Sequence, residues 1–154
     1  MSKLTHRLVK KSSSEGTQIL SSTSSSHLLK QKFATLMERV EYDFDVSVEL
    51  INGSNSYWVP TPPGEISELG CSGIIDIGDD QSDFEKLISL IHEIGHVIFN
   101  DDNKLKKHRR IPLFEESLAW HVGYDYALVS GIEINLEEYA ERVELALNLY
   151  KETK

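Results

Sequence analysis

The apolar positions of this chain form helical and strand patterns in turn. Leu29, Phe33, Leu36, Met37 and Val40 recur every three or four residues, which predicts an amphipathic helix over residues 27–42. Val46, Val48 and Leu50 then alternate with polar residues, the pattern of a half-buried strand. Asn52-Gly53 signals a turn, and Tyr57-Trp58-Val59 predicts a second short strand. Pro60, Pro62, Pro63 and Gly64 make a loop, and Ile74, Ile75 and Ile77 predict a third strand ending at Gly78. Asp79, Asp80, Ser82 or Asp83 can cap the next helix, which runs to about Phe99. Its stripe is Phe84, Leu87, Ile91, Ile94 and Ile98, widened by Ile88, Leu90 and Val97. A further helix covers about 114–130 and stops at Gly131. The last starts at Asn135, with Glu138 completing a start like a capping box, and carries Val143, Ala146, Leu147 and Tyr150. Helix, short strands, then helices reads as a small α+β domain.

Composition sets the boundaries of that domain. A chain of 154 residues suits one domain plus a tail. Residues 12–26 are Ser-rich and bury too little apolar surface to offset ordering entropy, so residues 1–26 are expected to be a flexible tail and 27–154 the folded domain. A net charge of −9 argues against a direct nucleic-acid binder. The single cysteine, Cys71, excludes an internal disulfide framework and reads as a structural thiol. No apolar run reaches the roughly 18 residues of a membrane helix, and the N-terminus lacks the apolar core of a secretory signal. The expected location is therefore the cytoplasm, with no membrane partner. The basic run 104–110 is expected to be a solvated connection; its alternative is a docking patch for an acidic substrate.

The chemistry concentrates in residues 92–96, His-Glu-Ile-Gly-His. Residues four apart on a helix are separated by about 40° of rotation and one turn of rise. His92 and His96 can therefore reach the same ion, and imidazole nitrogen is a common zinc donor. Glu93 sits too far round to be the natural third ligand but is placed to act as general base toward a water that zinc activates. Gly95 inside the helix costs about 1 kcal/mol relative to Ala, which suggests that a backbone or a substrate comes close there.

A catalytic zinc wants a third protein ligand and an open position. Asp101, Asp102, Glu115 and Glu116 are the downstream candidates. Asp102 falls where the longer HExxHxxGxxH/D pattern has its third ligand, but Phe99 stands in place of the glycine that turns the chain there. Glu115 and Glu116 open the next helix. The face of Glu116 carries Ala119, Trp120, Gly123 and Ala127, mostly small residues suited to close helix approach. The face of Glu115 carries Leu118, Ala119 and Val122 and is apolar too, so periodicity leaves both open.

Residues 87–99, Leu-Ile-Ser-Leu-Ile-His-Glu-Ile-Gly-His-Val-Ile-Phe, together with the strand 73–77 before them and Glu116-Ser117-Leu118-Ala119-Trp120 after them, resemble the gluzincin type of peptidase. More narrowly, they resemble the ImmA/IrrE family of small zinc proteases. That resemblance implies a small zincin-like fold: N-terminal helix, short three-stranded sheet, HExxH helix, Glu-bearing helix and C-terminal helix. It implies Zn2+ at His92, His96 and Glu116, with Glu93 as catalytic base. It also implies a cytoplasmic enzyme acting on a protein substrate, often a helix-turn-helix regulator. The sequence departs from the gluzincin pattern at Trp120, where that pattern has Asp.

The sequence therefore leads to a zinc-dependent endopeptidase. Its rivals are a metal-binding regulatory or antirepressor module without turnover and a zinc amidase that does not act on peptides. The segment around Cys71 resembles, loosely, the Gly-Cys segment of peptide deformylases. Donors for a developing oxyanion are sought among His108, His121, Tyr57 and Tyr124. An extended substrate would add to a sheet edge, either the strand at 73–78 or the strand near Tyr57.

Overall fold

The computed structural model describes residues 13–62, 64–65, 70–101 and 112–153. The elements in chain order are α1 (Ser13–Phe44), β1 (Val46–Ile51), β2 (Tyr57–Pro60), β3 (Gly73–Gly78), α2 (Asp83–Asp101), α3 (Pro112–Val129) and α4 (Leu136–Glu152). This is the expected α+β arrangement, with four helices and a three-stranded sheet among the described residues. No helix among the described residues is long and apolar enough to cross a membrane.

The first helix contains the expected 27–42 segment but begins at Ser13. Extending a helix already nucleated fixes only one residue per added hydrogen bond, so a Ser-rich stretch can continue one that packing holds further along. Of the stretch 1–26 expected to form a tail, 13–26 thus has helical backbone, and residues 1–12 lie outside the described residues. Leu36 and Val40 are fully buried, and Leu29, Phe33, Met37 and Phe44 pack beside them. Ser26 Oγ donates to Asp83 Oδ2 at 2.6 Å, joining α1 to the start of α2. Asp45, with φ 53°, turns the chain into β1. Aspartate tolerates that left-handed conformation better than most residues.

The strand order is β1-β3-β2, with β3 parallel to β1 and antiparallel to β2. The central strand buries Gly73, Ile75 and Ile77 on one side, at the two-residue period of a pleat. Of the two strands considered as a sheet edge, β3 is therefore interior, because it is hydrogen-bonded on both sides. That leaves β2 as an edge strand.

The hub of the fold is α2, which packs on α1, β2, β3 and α3. Its start is a reciprocal capping box: Glu85 N–H donates to Ser82 Oγ at 3.2 Å and Ser82 N–H to Glu85 Oε2 at 3.4 Å. Leu87, Ile88, Leu90, Ile91, Ile94, Val97 and Phe99 are all buried, so the helix is covered on most sides, as its near-continuous apolar sequence requires. On α3 the buried positions are Ala119, Trp120, Gly123 and Ala127, the face that also carries Glu116. Past Val129, Gly131 takes a left-handed conformation with φ 80°, which lets the Ile132 N–H donate back to Ala127 O and end the helix. Asn135 caps α4 by accepting from the Glu138 N–H at 3.1 Å.

Two glycines set how close α2 and α3 come. A Cβ on Gly95 would collide with the Ala119 carbonyl, and a Cβ on Gly123 with the Ile91 carbonyl. Both obstacles are backbone and cannot rotate away. Gly95→Ala is therefore expected to destabilise the metal-free protein by about 1–3 kcal/mol. Helix propensity alone would give the opposite sign, a gain of up to about 1 kcal/mol. Equilibrium urea unfolding distinguishes the two, and a more stable Gly95→Ala protein would mean that the helices do not cross this closely.

Candidate metal centre

The close crossing brings three donor side chains to one point. His92 Nε2 and His96 Nε2 are 3.1 Å apart. Glu116 reaches across from α3, with Oε2 3.4 Å from His92 Nε2 and Oε1 3.5 Å from His96 Nε2. Among the described residues, this trio is the grouping that could hold a metal ion. Ligand atoms at about 2.0–2.1 Å from a tetrahedral ion stand about 3.3–3.4 Å apart. The observed separations bracket that value, so the donor set fits zinc. The two histidines are not on a solvated face, since their side chains are only 14% and 16% exposed.

The electrostatics of the trio suit a cation. Burial, with the neighbouring His92 second, pushes the His96 imidazole down to about 4, while Glu116 acts the other way. His96 is therefore neutral at pH 7, the form in which imidazole binds metal. His96 Nδ1 faces Glu115 Oε1 at 4.0 Å, too long for a hydrogen bond but within electrostatic reach. Glu115 thus lines the site from one residue away, behind His96 rather than among the three donors.

Glu93 lies beside the trio and is only 6% exposed. Burial pushes its carboxyl up to about 7; His92 lowers it, Glu116 raises it further and the Trp58 backbone N–H lowers it by hydrogen bonding. A carboxyl poised near neutrality suits a group that must take up and release a proton at pH 7. A cation at the three donors would draw it back toward its charged form.

All four residues line one open cleft of about 450 Å³, whose other wall is β2 with Tyr57, Trp58 and Pro60. Of the residues considered as oxyanion donors, Tyr57 is in this cleft. His121 is elsewhere, exposed and 3.6 Å from Asp125. Tyr124 packs on Tyr139 with ring centroids 4.7 Å apart, away from the cleft. Cys71 is half-buried and is not grouped with the three donors. His108, Asp102 and the basic run 104–110 lie outside the described residues, as does the side chain of Asp101.

Two contributors carried no chemical signal in the sequence. The Trp58 amide reaches Glu93 only because β2 runs past α2. Trp120 stacks on His92, with ring centroids 4.0 Å apart and planes inclined at 26°. A third, Asn100, also lines the cleft, and its place four residues after His96 could have pointed to it.

Glu116→Gln is expected to lower zinc affinity at least tenfold, and Glu115→Gln to change it much less. A competitive zinc titration of both proteins checks this, and the reverse order would place the wrong carboxylate at the metal. A second expectation concerns pH. The folded-state value of Glu93 is raised from an ordinary 4.5 to about 7, so its contribution to stability is complete below about 4.5 and is lost as pH rises through 7. The penalty on the charged form is about 3 kcal/mol at most. Metal-free Glu93→Gln lacks that slope, whereas His96 titrates in both proteins. The stability of the variant relative to the parent should therefore grow between pH 5 and pH 8, and a constant difference across that range would show that Glu93 is not buried as described.

Comparison of the chain with protein-family models, with curated proteins and with solved structures gave no match, so the site stands on its own geometry.

Proposed function

We propose that this protein is a zinc-dependent endopeptidase. The observation that carries the reading is the spacing of His92, His96 and Glu116, 3.1–3.5 Å between donor atoms, with a buried carboxyl beside it in an open cleft. The resemblance of residues 87–99 and 116–120 to gluzincins, and to the ImmA/IrrE family among them, supports the same reading.

His92, His96 and Glu116 would hold the ion. Zinc bound there would supply Lewis-acid activation of a water and of the scissile carbonyl. Glu93 takes the proton that water loses as its oxygen bonds to the carbonyl carbon. The same carboxyl then delivers that proton to the leaving amine as the C–N bond breaks. The Trp58 N–H steadies the Glu93 carboxylate before the first transfer and again after the second. Tyr57, at the rim of the cleft, is the candidate donor to the developing oxyanion. An extended substrate can lie along β2, whose partner in the sheet is β3. A regulatory protein of the helix-turn-helix type is the substrate class that the resemblance implies, in the cytoplasm.

Purified protein supplied with zinc at neutral pH is expected to hold about one ion per chain and to cleave members of a quenched-fluorescence peptide library. Glu93→Gln should keep the zinc and lose cleavage by about 10²–10⁴-fold, because an amide cannot accept the proton. Zinc retention with no peptide turnover by the parent would favour a binding module, and turnover of small amides alone would favour an amidase. Absence of zinc after elemental analysis would remove the reading altogether.

A further inference from the structure

We propose that Trp120 is a positioning residue of the metal centre, its indole face holding the His92 ring in the plane that directs Nε2 toward His96 and Glu116. The inference rests on the metal-centre reading above. A histidine that binds metal through one nitrogen usually donates the other N–H to a carboxylate or carbonyl, which sets its tautomer and the orientation of its ring. Here His92 Nδ1 is buried and has no hydrogen-bond partner among the described residues. The Trp120 face lies against the ring instead, with centroids 4.0 Å apart and planes inclined at 26°, while the His96 ring stands across it at 4.6 Å and 81°. Stacking fixes the plane of the imidazole, and within that plane one of the two ring orientations presents Nε2 to the other donors.

The indole can do this because it is itself held. Trp120 is buried, and the Tyr139 ring meets its edge at 5.9 Å and 70°. The Tyr139 hydroxyl donates to the Trp120 carbonyl at 2.5 Å, and Tyr124 backs Tyr139. A file of aromatic rings thus runs from α4 to the metal centre. The two histidines are supported differently: His96 has Glu115 behind its Nδ1, and His92 has a ring on its face. Trp120 stands where the gluzincin pattern has Asp, and an aromatic face thus meets His92 at that position.

The test uses the full chain and cobalt as the probe, since cobalt reports its ligand geometry in the visible spectrum. In folded Trp120→Leu, confirmed by circular dichroism, cobalt affinity should fall about tenfold or more and the visible bands should shift. Trp120→Phe, which keeps a flat ring on His92, should restore both to within about threefold of the parent. A second measurement needs no change at position 120. The chain has two tryptophans, so in Trp58→Phe the remaining fluorescence comes from Trp120, and one equivalent of cobalt should quench it, with zinc reversing the effect. Unchanged cobalt affinity and spectrum in Trp120→Leu, or unquenched fluorescence in Trp58→Phe, overturns the inference and leaves the metal centre standing. Failure of the parent chain to bind either metal overturns both.

Discussion

The close crossing of α2 and α3 is the constraint on which the site depends. Packed helices ordinarily stand 8–10 Å apart, at a distance set by the side chains between their axes. At this crossing there are none: Gly95 faces the Ala119 carbonyl and Gly123 faces the Ile91 carbonyl. The helices meet backbone to backbone, and Glu116, about two turns before Gly123 along α3, arrives beside His92 and His96. A glutamate side chain is short, so a wider spacing would leave it facing the histidines across a gap. The intrinsic cost of a helix-interior glycine is thus offset by contacts that no larger residue would permit.

The same crossing gathers groups that repel water-free surroundings. Glu93 is displaced toward neutrality by burial, and His96 is kept from protonating by burial and by its neighbour. Burial thus brings the proton affinity of Glu93 to about 7, whereas it takes that of His96 down to about 4 and leaves the imidazole neutral at pH 7. A divalent cation at the three donors would relieve much of that strain, since it supplies the charge that the buried carboxylates lack. The fold around the site is apolar enough to tolerate the cost. Ile91, Ile94, Leu87 and Leu90 are fully buried on the remaining faces of the same helix.

The sheet contributes orientation. Because β3 pairs with β1 on one side and β2 on the other, β2 becomes the wall of the cleft. Its Trp58 amide points at Glu93, and its Tyr57 side chain stands at the rim. A third stabilising layer comes from α4, which reaches the site only through side chains, by way of Tyr139 and Trp120.

Much of this was legible in the chain. The period of apolar residues gave each element its type, and Ser82 with Glu85, and Asn135 with Glu138, marked two helix starts by local chemistry that needs no tertiary partner. The spacing of His92 and His96 determined that they share a helix face, because helical geometry alone imposes it. Gly95 pointed to a close approach, since nothing local favours it. Other features could not be read locally. The choice between Glu115 and Glu116 depends on how α3 is rotated against α2, which both apolar faces allowed. Whether β3 or β2 is the edge depends on pairing between strands separated by residues 61–72. The start of α1 at Ser13 goes beyond what its composition suggested. The partners of Trp58 and Trp120 depend on which surfaces meet, and an apolar ring in a sequence looks the same whether it fills a core or rests on a histidine of the candidate metal centre. Local geometry is encoded in neighbouring residues, whereas the position of a carboxylate across a helix crossing is decided by the packing of the whole domain.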